Sequence, residues 1–542
     1  MMNRHTVAWV GWMAVTLLGC AHQTVVQPLG PPPDLMVVGE LVGPAGRLPG
    51  MAVAISGDRI SQVGPASELT ARWPAVQRVD APYMTAGFVD AHAHPGWVGQ
   101  VSEQVDLTGV ASYEAALSLL QREAPASGWV QGHGWDQTRW KDMPEGGWPL
   151  ASDLDGVLPG RDVVLSRIDG HAVWVSSSVL DRISDWGDAA SGRVTRDPQG
   201  QPSGVLVDDA MAAVPEIPTE AADVRRQLLA ALGQMADAGL TGVHAMSVSD
   251  NELSALRSLA EAQSLPIRVW AFLQPDSEGA ARLLAEGPRT VGRLTVGGIK
   301  TFADGALGSR GAHLHAPYAD QPGHHGLPQT TLEDLTTLIH RAASSGVQVA
   351  THAIGDAGCD MVLDAVEAAR STSGVNGLRM RMEHAQVLSE GAAQRFAPLN
   401  VVASIQPRHV TSDMDWAEAR VGPERMARAY AWRDLLNAGA IVAAGSDSPV
   451  EPFDPALGMW AAVTRTDDSG QPSGGFRPEQ GLTAGEALEA FTWGAARAVH
   501  AEHDLGRIAP GYKADLTLWT TTRDQWKVMG IIVDGAFALN EE

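Results

Sequence analysis

The sequence predicts an α/β protein: a (β/α)8 TIM barrel, a small β-sandwich domain formed from both chain ends, and an insertion over the barrel mouth. Three observations predict it. Through the middle of the chain, apolar strand-like runs alternate with Ala/Leu-rich helical segments such as Ala221 to Ala238 and Leu332 to Ser344, the βαβα order of a parallel sheet. Short β-rich runs broken by Gly and Pro turns stand at both ends, and such runs suit small antiparallel strands that pair with each other. At 542 residues the chain far exceeds an average domain of ~100–200 residues, which leaves room for a barrel of ~250 residues and a companion.

From the N-terminus, Arg4 precedes an apolar stretch from Val7 to Leu18 that closes as Leu17-Leu18-Gly19-Cys20. The stretch is shorter than the ~20 residues of a membrane-spanning helix and reads as a signal peptide over residues 1–19. Gly19 before Cys20 resembles the lipobox of bacterial lipoproteins. That resemblance implies cleavage before Cys20 and lipidation of Cys20, placing the protein on the bacterial cell envelope by a lipid anchor, at the periplasmic side or the cell surface. An uncleaved apolar anchor is the alternative. The Pro-rich segment within 20–34 then serves as a tether. Cys20 and Cys359 are the two cysteines, too few for a disulfide framework.

Residues 35–84 supply the first part of the sandwich, with Met51 to Ser56 as a clear strand. Residues 481–542 supply a closing helix and the second part, where Ala514 to Trp519 and Gly530 to Phe537 read as strand, turn, strand. The barrel occupies 85–480. Its expected strands are Gly87 to His92, Asp162 to Ile168, Thr241 to Ala245, Val296 to Phe302, Val347 to His352, Leu378 to His384, Val401 to Gln406 and Ile441 to Asp447. Between His94 and Lys300 the chain runs roughly 100 residues longer than three βα steps need. An insertion at about 110–220, including the Trp-rich Gly128 to Leu150, accounts for the excess and helps to cover the mouth.

Lys and Arg number 39 against 63 Asp and Glu, a formal charge of -24. Such a surface repels a phosphate backbone, so nucleic acid is not an expected partner. A small-molecule substrate is, and a homodimer stays open.

Chemistry gathers at strand ends. In Gly87-Phe-Val-Asp-Ala-His-Ala-His-Pro95, His92 and His94 stand at i, i+2 and so share one face of a strand, where two imidazoles can grip one metal ion. Lys300, His352 in Ala350-Thr-His-Ala-Ile-Gly-Asp356, His384 in Glu383-His-Ala-Gln386 and Asp447 in Ala443-Ala-Gly-Ser-Asp-Ser-Pro449 follow in order. Each ends a β-like run where barrels collect catalytic residues, and nitrogen with carboxylate ligands suits zinc or a similar divalent ion. A helix N-cap is the plain alternative for Asp447, and a satisfied core imidazole for His352 or His384.

With these motifs the chain resembles the amidohydrolase superfamily, and within it the branch that includes N-substituted formamide deformylases. The resemblance also rests on Gly134-Trp-Asp136 with Trp140, on Asp169-Gly-His171 with Trp174, on Pro317-Tyr318, and on Leu482 through Leu516. It implies that His92 and His94 bind the more buried metal and that His352 and His384 bind the second. Lys300 would bridge both as a carbamate, and Asp447 would bind metal while taking a proton from the attacking water. Zn2+ is expected, one or two per chain, binuclear if Lys300 is carbamylated. Asp136, Asp169 and His171 are implied substrate contacts, with His171 polarising the carbonyl under attack. Trp135, Trp140 and Trp174 would line an apolar pocket, the alternative being the core of the insertion. Where the family commonly has Asn after its Asp-Gly-His-x-x-Trp element, Ser176 stands here. The expected reaction is hydrolysis of a non-peptide C–N bond in an amide, formamide or cyclic amide. Ester, lactone or dipeptide hydrolysis, deamination, and a catalytically silent surface-binding lipoprotein are the alternatives.

Overall fold

Eight parallel strands follow one another round a single sheet in sequence order: Phe88–Ala93, Leu240–Val248, Arg268–Leu273, Leu294–Phe302, Gln348–Ala353, Arg381–His384, Val402–Ile405 and Ile441–Ala444. The computed structural model describes residues 31–143, 147–183, 192–197, 199–215, 217, 220–370, 377–522 and 525–537. The signal segment, Cys20 and most of the tether lie outside the described residues. All six residues of the first strand and all six of the fifth are buried, as parallel strands covered on both faces should be. Helices wrap the outside. In Leu332–Ser344, for example, Thr331 caps the N-terminus, and Leu335, Ile339, Ala342 and Ala343 turn one stripe toward the core at helical spacing.

Closure is made by the chain beyond the eighth strand. Asp447 N–H donates to His92 O at 2.7 Å and His94 N–H to Ser448 O at 2.9 Å, while the buried Asp90 carboxylate accepts from Ser446 N–H at 3.0 Å. The same seam therefore shuts the barrel and sets Asp447 beside His92. Inside, Gly298 leaves space for the Phe272 ring, which a Cβ would meet at 2.2 Å.

The two chain ends join one seven-stranded sheet. Its central contact is Leu516–Thr522 running antiparallel to Gln77–Ala86, and Val37, Ile55, Met84, Leu518 and Ile532 share its core. Arg268 ties this domain to the barrel through Asp515 at 2.6 and 2.9 Å.

The insertion carries its own six-stranded sheet, from Val105–Asp106 to Pro202–Asp208, between the first and second barrel strands. Here one expectation is corrected. Asp162 to Ile168 is not the second barrel strand: Val163–Arg167 pairs with Val130–Trp135 and Ala172–Val175 inside the insertion. Leu240–Val248 is the second barrel strand, and Arg268–Leu273, absent from the expected set, is the third. An apolar run of strand length does not say which sheet it joins, because its periodicity is the same whether it pairs with near neighbours in the insertion, as here, or with distant strands of the barrel.

Candidate metal centre

The strand ends deliver the six expected ligands to one end of the barrel. His92 is fully buried and His94 partly so, and their Nε2 atoms lie 3.2 and 3.1 Å from the same Asp447 Oδ1. His384 completes a group with His92 and Asp447 whose ligand atoms all fall within 4.8 Å of one another. The His352 ring is 4.4 Å from that of His384. Lys300 is 1% exposed, with its Nζ 4.4 Å from the Phe302 ring centre, and it lines the same cavity of about 310 Å³ as the four imidazoles. His384 and Asp447 hold φ of 75° and 62°. Non-glycine residues adopt this left-handed region at a cost, and such conformations gather at functional sites.

Polar partners behind the imidazoles settle which nitrogen faces inward. His92 Nδ1 is 2.7 Å from Glu383 Oε2, and Arg381 donates to both Glu383 oxygens at 2.7 and 3.0 Å. Arg381 also donates to Ala91 O at 2.6 Å and contacts His244 Nδ1 at 2.8 Å. Burial alone would raise the Glu383 carboxyl, but Arg381 and His92 outweigh it and hold it well below the usual range. A permanent carboxylate there accepts the Nδ1 proton of His92 and leaves Nε2 facing Asp447, the arrangement that orients ligating imidazoles. His94 Nδ1 is set likewise by Met246 O at 3.1 Å.

These residues fit a divalent cation. Among the described residues, His92 Nε2 and His384 Nδ1 are buried with no hydrogen-bond partner; Asp447 is close to His92 Nε2 in distance but outside hydrogen-bonding geometry. Buried polar atoms without partners are rare and ask for an explanation, and a metal ion supplies one. Burial pushes His352 and His384 far toward the neutral form, the form that binds metal. For Asp447, burial would raise the carboxyl, yet His92 and His94 hold it well below its ordinary value. Burial lowers Lys300 to about 8, so an appreciable share of its amine is unprotonated near neutrality.

The insertion brings a second group to the centre. His171 lies with its ring 5.0 Å from that of His352, and its Nδ1 is 2.7 Å from Asp208 Oδ1. Burial opposes a charge on His171, but Asp208 overrides it and the group titrates above its usual value. Asp169 accepts from His171 N–H at 3.1 Å, and buried Arg167 ties Asp169 to Asp136. His409 stacks on His384 at 5.7 Å, with Nε2 3.7 Å from Asp447 Oδ2.

The tryptophans correct a second expectation. Trp135, Trp140 and Trp174 belong to the core of the insertion, 0, 5 and 0% exposed, and they line neither cavity at the centre. Their indole N–H groups donate to Leu165 O, Val110 O and Leu150 O, and their rings pack at 6.1 to 6.3 Å. Apolar rings satisfied by local carbonyls are worth more as packing than as exposed wall. Trp174→Ala should therefore cost ~3–5 kcal/mol of stability, read by denaturant unfolding, while metal content per folded chain stays native. Sequence reasoning also missed Arg167, Asp208, Arg381 and His409. Arg381 and Glu383 at i, i+2 on a strand were the one available signal, because the others meet their partners only in the folded chain.

Putative amidohydrolase YtcJ of Bacillus subtilis (strain 168) is 34% identical over 452 residues, covering 80% of this chain and 83% of its own. The N-substituted formamide deformylase of Arthrobacter pascens is 28% identical over 499 residues, 86% of this chain and 89% of its own. A crystal structure of an uncharacterized metal-dependent hydrolase from Pyrococcus horikoshii OT3 superposes with a TM-score of 0.71 at 28% identity, over 89% of this chain and 96% of that one. The amidohydrolase family matches residues 82–535, a span that holds all eight barrel strands and every residue of the cluster, and the chain belongs to that family.

Proposed function

We propose that the chain hydrolyses a non-peptide C–N bond, in an amide, formamide or cyclic amide, with zinc as the resident metal. The observation that carries this reading is the Asp447 carboxylate: Oδ1 sits between His92 Nε2 and His94 Nε2, and the residue also lines the open cavity on the insertion side. His92 and His94 would hold one ion and His352 and His384 a second, and Lys300, once its amine has taken up CO2 as a carbamate, would add carboxylate-like oxygens to the set. When bound, a divalent ion supplies Lewis acidity that polarises a carbonyl and activates water near neutral pH. Asp447 accepts the proton of the attacking water and can pass it to the leaving nitrogen, since its carboxylate reaches both the imidazole pair and the open cavity. His171, held by Asp208, donates toward the carbonyl oxygen as charge develops on it. The name of the Arthrobacter relative, a formamide deformylase, favours C–N cleavage among the reactions this site can perform.

A panel of N-formyl, N-acyl, cyclic amide and lactone substrates, offered to the zinc-loaded protein, tests the reading. Turnover of a C–N substrate above that of the matched lactone is expected. Lactone turnover with no amide turnover would overturn it.

We further propose that the mature protein is anchored to the bacterial envelope through a lipidated Cys20, as the lipobox-like Leu17-Leu18-Gly19-Cys20 suggests. Cys20→Ser should release the protein from the membrane fraction or leave an uncleaved precursor. Unchanged fractionation together with unchanged mass would count against acylation.

A further inference from the structure

On the insertion side of Asp447 lies a cavity of about 270 Å³, at the small end of the ~300–1,000 Å³ typical of small-molecule sites. Three arginines line it, Arg139, Arg167 and Arg408; the two buried ones, Arg167 and Arg408, each hold two carboxylates, and the half-exposed Arg139 shares Asp136 with Arg167. Arg167, 2% exposed, donates to Asp136 at 2.8 Å, to Gln137 at 2.8 Å and to Asp169. Arg408 holds Glu451 at 3.0 Å and Asp468 at 2.9 Å. Arg139 sits 3.5 Å from Asp136. Besides Asp447, the same wall carries Asp413, bonded by the neutral Tyr430 hydroxyl at 2.6 Å and the Gln386 amide at 3.2 Å. Leu307, Ile354, Trp416, Val450 and Pro452 add an apolar surface, and His171, His352, His384 and His409 line the side toward the metal centre.

A ligand carboxylate entering this space would give up its water and find the buried guanidiniums of Arg167 and Arg408 already matched. Burying a charge on those terms is unfavourable. An uncharged group would lose nothing comparable and would gain contact with the apolar surface.

We propose that the part of the substrate filling this cavity is uncharged: the enzyme takes a neutral amide or ester and discriminates against N-acyl amino acids and dipeptides. Arg167 and Arg408 are then neutralised wall and not carboxylate anchors. The proposal rests on the hydrolytic reading of the metal centre but does not depend on which bond is cut.

Two matched substrate pairs test it, N-acetylbenzylamine with N-acetylphenylglycine and benzyl acetate with O-acetylmandelate, because the members of each differ only by a carboxylate. The neutral member should show about 100-fold higher kcat/KM, the scale of burying a charge without a free partner. Glu451→Gln, which leaves Arg408 matched by Asp468 alone, should narrow the gap by about tenfold through faster turnover of the anionic member. Equal or better use of the carboxylate member by the native protein overturns the proposal, and an unchanged gap in the variant overturns the role given to Arg408 and Glu451. Ester cleavage without amide cleavage would sink the C–N reading and still report the charge preference. Benzohydroxamate and its 4-carboxy analogue give the same comparison without turnover. On the zinc-loaded protein the neutral ligand should raise Tm more, and the reverse order overturns the proposal.

Discussion

Replacing His92 and His94 together by alanine should strip the protein of its divalent ion and reduce turnover by more than ~10³-fold, since without the ion the attacking water returns to a pKa near 15.7. Two imidazoles whose Nε2 atoms converge on one carboxylate oxygen cannot be replaced by neighbours at the same place. The buried Glu383 carboxylate would also lose the His92 proton it accepts, so some loss of stability accompanies the loss of metal. Chelation of the native protein separates the two effects. It should abolish activity without changing a residue, lower Tm by removing a ligand that binds the folded state, and be reversed by added zinc. Elemental analysis finding active protein without metal would remove the basis of the proposed mechanism.

Asp447→Asn should lower kcat by about 10²-fold or more, the scale of a lost general base, while metal content falls less. Asn keeps a side-chain oxygen for the cation but cannot accept a proton at neutral pH. It is also among the few residues that tolerate positive φ, and position 447 has φ 62°, so the seam closing the barrel should survive the change. The acidic limb of kcat/KM should report ionisation of the attacking water coupled to Asp447, not either group alone. Near-native turnover by a metal-loaded Asn variant would assign the base elsewhere, with His171 the next residue to test.

The sequence by itself determined the barrel and a companion β domain made by both chain ends, though it expected a sandwich where one sheet stands, and it singled out six candidate ligands. It could do so because these depend on local periodicity. His92 and His94 share a face through the period of two along a strand, and Lys300, His352, His384 and Asp447 each end an apolar run, so a parallel barrel must bring all six to one end. Tertiary structure decided the rest. Asp162 to Ile168 has the pattern of a barrel strand, but its hydrogen bonds go to Val130–Trp135 and Ala172–Val175. Trp135, Trp140 and Trp174 form the core of the insertion because three indoles from separated segments meet there with their N–H groups satisfied. Asp208 beneath His171 and the two carboxylates on Arg167 likewise belong to no motif. Periodicity along the chain fixes which face a side chain takes, whereas the partner across that face comes from a distant segment, and the low dielectric of the interior makes that partner decide the charge, tautomer and role of the group.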